Sequence, residues 1–97
     1  MSATFGEAAA RAATAYEALA SLAESVEDEW QYVNDLLDEY LPGIQALAGP
    51  DPHAPLTYEA AAAVDEVVAE IGLIADPHKA IDWLSTFPYV VALALRP

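Results

Sequence analysis

Between Phe5 and Leu47 the chain repeats one spacing without interruption. Apolar or small residues fall at Phe5, Ala9, Ala12, Tyr16, Leu19, Ala23, Val26, Trp30, Val33, Leu37, Tyr40, Ile44 and Leu47, with gaps alternating between four and three. This is the stripe of a helix buried along one face. Ala8, Ala15, Leu22 and Leu36 lie beside the stripe and widen it, which suits a globular bundle better than a bare two-stranded coiled coil. Neither Gly nor Pro occurs from Glu7 to Leu41, so the spacing predicts one long helix over about 4–41, about 57 Å from end to end at the usual rise. A kink near 21–25 is compatible with this reading, but no breaker demands one. Ser2 or Thr4 can cap the helix, and Glu7 stands at the capping-box distance from Thr4.

Pro42 removes an amide donor and crowds the turn before it, so the helix is expected to end near Leu41. Ile44 and Leu47 keep the phase of the stripe, and a short turn over 42–48 would cover the end of the bundle. Residues 49–55 (Gly-Pro-Asp-Pro-His-Ala-Pro) form the clearest loop, stiffened by three prolines. Thr57 can cap a helix from Tyr58 to about Ile71 that turns Ala61, Val64, Val68 and Ile71 inward and leaves Glu59, Asp65, Glu66 and Glu70 in solvent; Gly72 suits its end. Asp76-Pro77 is a helix start, an N-cap followed by proline at the first helical position. The helix it opens is expected to reach about Thr86, with Ile81, Leu84 and either Trp83 or Phe87 inward, and Pro88 closes or kinks it.

Tyr89 to Leu95 is an apolar run whose length and adjacent valines also permit a buried strand. A lone strand would leave its backbone groups unpaired unless it met another chain, so the run reads as a last helix capped by Ser85 or Thr86. The expected fold is all-α: a small helical bundle with one long N-terminal helix (about 4–41) and three or so shorter helices packed against it, a single domain over 1–97.

Composition agrees, with 56% hydrophobic residues, many of them the strong helix former alanine. The absence of cysteine removes disulfides, thiolate metal sites and thiol nucleophiles together. The N-terminus lacks the charged start, apolar core and cleavage site of a secretory signal, and the longest apolar run is far short of the roughly 20 residues that span a membrane. A cytoplasmic protein without membrane association is expected.

Charge changes the picture most. Sixteen acidic residues face three basic ones, a formal net charge of −13. Such a chain has no basic patch to displace counterions from a nucleic-acid backbone, so direct nucleic-acid binding is not expected. The acidity serves either solubility alone or a basic partner.

Signatures of chemistry are few. The adjacent carboxylates at 27–29, 38–39 and 65–66 point about 100° apart on a helix and do not converge as an acid–base pair would. Neither His53 nor His78 has a Glu three positions before it, as a metal centre in a helical bundle would require, although Asp51 with His53, or Asp76 with His78, could offer two ligands each. Asp-Pro-His thus occurs twice. No nucleophile elbow, phosphate-cradling loop or dinucleotide fingerprint is present. The expectation is a non-enzyme with no catalytic residue, metal or cofactor.

The aromatics Tyr16, Trp30, Tyr40, Trp83 and Phe87 sit at core spacing. Tyr32, off the stripe, and Tyr89 are the tyrosines that would anchor an interface if exposed. One feature is left without a packing explanation: Glu24, Glu27, Asp28, Glu29, Asp35, Asp38 and Glu39 crowd the second half of the long helix. There they oppose the helix dipole, with nothing basic one turn away. These seven residues are the candidate partner-binding site. The expected function is a protein–protein interaction module whose acidic face engages a basic partner, one form being an inhibitor or antitoxin that masks a nucleic-acid-binding surface. The alternative is a self-assembling structural protein, a homo-oligomer held through the apolar stripe or the C-terminal segment.

Overall fold

Three of the four helices begin at a side chain that accepts a backbone amide of the first turn. The Thr4 hydroxyl accepts the Glu7 amide at 3.2 Å and opens α1 (Phe5–Ala23). The Thr57 hydroxyl accepts the Ala60 amide at 3.1 Å and opens α3 (Tyr58–Gly72), and Asp76 accepts the His78 amide at 3.0 Å at the start of α4 (Pro77–Leu95). Between them, α2 (Trp30–Gln45) follows a six-residue connection and leads into a 3-10 turn over Ala46–Ala48. The computed structural model describes residues 3–95, so Ser2, the other cap candidate, lies outside the described residues. The all-α bundle is the observed fold, with no strand among the described residues.

The single helix over 4–41 is not observed; the chain folds back on itself at residues 24–29. The Ser25 hydroxyl donates to the Leu22 carbonyl at 2.7 Å, Val26 N–H returns to the Ala23 carbonyl, and Asp28 takes a left-handed conformation at φ 69°. Aspartate tolerates that region better than most residues, which is why a break needs no glycine here. Its physical advantage is coverage. The described chain measures 42 × 24 × 18 Å, shorter than the extended helix would be, and the fold-back lays Val33, Leu36 and Ile44 against α1 within the same core. Trp30 is lost from the stripe in the process and stands 58% exposed at the head of α2.

Helix α1 is the hub, in contact with α2, α3, α4 and the 3-10 turn. Its small residues Ala8, Ala12, Ala13, Ala20 and Ala23 are buried and let the neighbours approach closely. Tyr16 lies at the centre, fully buried, with its ring stacked 6.2 Å from that of Phe87. Phe87, rather than the half-buried Trp83, fills the inward position of α4.

Both helices run through their internal prolines: Pro42 does not end α2, against expectation, and of the two outcomes expected at Pro88 the end of the helix is not observed. Pro42 lies exposed on α2, and the carbonyl it leaves without a helical donor belongs to Asp38, itself an exposed residue. Pro88 deprives the Leu84 carbonyl of its helical donor inside the core. The Tyr16 hydroxyl takes that place, donating to the Leu84 oxygen at 2.7 Å, with a longer approach of 3.5 Å to the Leu36 carbonyl. Tyr89 to Leu95 is therefore helical, as a continuation of α4 and not as a separately capped helix. Ser85 and Thr86 bond back to the Asp82 carbonyl instead of capping.

The two Asp-Pro-His segments fold alike. In each, the aspartate accepts the histidine amide, at 3.1 Å for Asp51 and 3.0 Å for Asp76; α4 grows from the second copy, while Pro55 follows closely on the first. The proline loop then runs beside the start of α1, where Phe5 N–H donates to Ala54, Gly6 N–H to Pro52 and Leu56 N–H to Ala3. A side chain at Gly6 would stand 2.9 Å from both the Cβ and the carbonyl oxygen of Pro52, whereas one at Gly43 would meet nothing within 4 Å. Two opposite results are expected from thermal or urea denaturation. Gly6→Ala destabilises by about 1–3 kcal/mol through overpacking. Gly43→Ala stabilises by up to about 1 kcal/mol, because alanine restricts the unfolded chain and favours the helix.

Candidate functional site

The fold-back redistributes the seven acidic candidates. Glu24, Glu27, Asp28 and Glu29 occupy the α1–α2 connection, and Asp35, Asp38 and Glu39 ride on α2. All are exposed except the half-buried Glu29. Because α2 begins at Trp30, the carboxylates at 27–29 precede a helix N-terminus, where the dipole favours them. The expected dipole penalty is corrected accordingly: it applies to Glu24 at the end of α1 and to Asp38 and Glu39 in the second half of α2, but not to these three or to Asp35. Asp28 also serves the backbone, through its left-handed conformation.

On α2 the acids divide between two directions. Asp35 and Asp38, one turn apart, are both exposed, and Asp35 accepts the Gln31 side-chain amide at 3.2 Å. Glu39 instead belongs to a groove of about 240 Å³ between α2 and α4, with Tyr40, Gly43 and Ile44 on one side and Tyr89 and Ala92 on the other. Its carboxylate, more than burial or the neighbouring Tyr89, raises the Tyr40 hydroxyl above the ordinary phenol pKa. Tyr89 is 65% exposed, and Leu93, one turn further on, is similarly open. Tyr32 is exposed as well. The sequence marks Tyr32 and Tyr89 as interface tyrosines, but it assigns Tyr40 to the core and gives no sign that Tyr40 and Tyr89 share a groove.

No basic side chain among the described residues pairs with the carboxylates of this region. Among the described residues the sole ion pair joins Arg11 of α1 to Asp65 of α3, on another face of the bundle. Three further grooves lie over the alanine-rich face of α1, and a smaller one of about 70 Å³ includes Glu7 and the paired Arg11 and Asp65 in its lining.

Among the described residues, no three His, Asp or Glu side chains are grouped so as to hold a metal ion, and the candidate ligands Asp51 and Asp76 are engaged by backbone amides. No buried side-chain nitrogen or oxygen among them lacks a partner. No described helix is long and apolar enough to cross a membrane. Comparison with protein-family models, curated proteins and solved structures finds no match to this chain.

Proposed function

We propose that this protein is a non-enzymatic interaction module whose acidic edge, Glu24, Glu27, Asp28, Glu29, Asp35, Asp38 and Glu39, engages a basic protein partner. An inhibitor or antitoxin that covers a nucleic-acid-binding surface is one form of this function. The observation that carries the reading is the absence, among the described residues, of any lysine or arginine paired with these seven carboxylates, in a chain of net charge −13. Unpaired like charges held together weaken the folded state by self-repulsion, and a basic partner relieves that repulsion on binding.

The test is ionic strength. Capture from the native host followed by mass spectrometry identifies the partner. Its affinity should then fall by at least about tenfold between low and high salt, as screened charge attraction requires. The triple variant Glu27→Gln, Asp28→Asn, Glu29→Gln keeps side-chain shape and suits the left-handed backbone at 28. It should weaken binding and flatten the salt dependence. Binding that ignores both salt and this variant would remove the proposal.

Exposure of Tyr89 and Leu93, one turn apart on α4, favours self-association as a second reading. A monomer in light scattering at high protein concentration would dispose of it.

A further inference from the structure

We infer that the groove between α2 and α4 is the seat of an arginine side chain from the partner, an inference that rests on the basic-partner reading proposed above. Its chemistry fits a guanidinium and its stem. Tyr40 on α2 and Tyr89 on α4 provide aromatic surface from two sides, and Glu39 brings a carboxylate into the same groove. A planar cation stacks on aromatic faces and hydrogen-bonds to a carboxylate, and arginine does both with one group. Ile44 and Ala92 supply apolar wall for the methylene stem. Gly43 lines the same groove without a side chain, and a Cβ there would meet no atom within 4 Å.

Charge selects the occupant. A second copy of this chain brings another −13 and three basic residues in all, so the Glu39 side of the groove is better complemented by a basic chain than by itself. The outer carboxylates at 27–29, 35 and 38 then act as a field that draws the partner in, while the groove fixes where it docks.

The full chain is titrated with N-acetyl-arginine methylamide, with its norleucine counterpart and with an arginine-rich peptide, and the tyrosine ring resonances are followed by NMR. The arginine probe should shift Tyr40 and Tyr89, and the norleucine probe should not. Glu39→Gln and Tyr89→Ala should each weaken the peptide by about three- to tenfold. Tyr89 is mostly exposed, so its removal leaves the fold intact; Gly43→Leu, which adds bulk at a residue lining the groove and spares both tyrosines, should reduce the ring shifts. The 27–29 triple variant should weaken the peptide but leave the shifts induced by the arginine probe in place. Equal responses to arginine and norleucine would overturn the inference. If the peptide is lost through the triple variant while Tyr40 and Tyr89 never move, the groove is wrong and the acidic-edge reading survives. If the peptide binds nowhere, both readings fall.

Discussion

Tyr16→Ala should cost about 3–5 kcal/mol in urea unfolding, the range for deleting a buried aromatic ring. Tyr16 is fully buried and stacks on Phe87, so its removal opens a cavity at the point where α1, α2 and α4 meet. The more informative variant is Tyr16→Phe. It retains the ring and removes only the hydroxyl that donates to the Leu84 carbonyl. That carbonyl has no helical donor because the residue four positions on is Pro88. Tyr16→Phe should therefore cost about 1–3 kcal/mol, the penalty for a buried acceptor left bare. Pro88→Ala restores a backbone N–H to the ladder. In that background Tyr16→Phe should lose most of its cost, with a coupling on the order of 1–2 kcal/mol across the double-mutant cycle. Additive effects would show that the two residues do not share the carbonyl.

Stability should also decline steeply above pH 10. Burial above all, with smaller contributions from Tyr40 and Glu39, raises the Tyr16 hydroxyl well beyond the ordinary phenol range. An unfolded tyrosine releases its proton near pH 10, while folded Tyr16 keeps it, so above pH 10 the unfolded state binds fewer protons and gains on the native state. The stabilisation is complete below pH 10 and drains away as the pH climbs, by at most about 1.4 kcal/mol per pH unit from this residue. Denaturation series from about pH 9 to about pH 12 should show Tyr16→Phe with the flatter profile. Equal slopes would mean that the native hydroxyl titrates freely.

Much of the architecture is written locally. Thr4, Thr57 and Asp76 each sit one residue before the helix they open, and a capping side chain acts within its own turn, so neighbouring letters suffice to find it. The α1–α2 break is harder to read. Its agents are a serine bonding back to Leu22 and a left-handed aspartate, both of them residues that helices also accommodate, and the three-four spacing runs straight across the fold-back. The prolines mislead for a different reason. Whether Pro88 ends α4 depends on the Tyr16 hydroxyl, which lies 68 positions before the Leu84 carbonyl it serves, and no local rule contains that information. The groove has the same character, since Tyr40 joins Tyr89 only once α2 and α4 are known to be neighbours. The acidic cluster is plain in the sequence, but its relation to the helix dipoles could not be assigned correctly before the break was located.

The docking of the proline loop against the start of α1 changes what the first turn of that helix reports. Opening turns usually fray on their own, and their amides exchange with solvent quickly. Here the Phe5 and Gly6 N–H groups find acceptors nearly fifty residues downstream, at Ala54 and Pro52. Their deuterium uptake consequently tracks detachment of the connection between α2 and α3, and two amides at one end of the chain become a gauge of events at its middle.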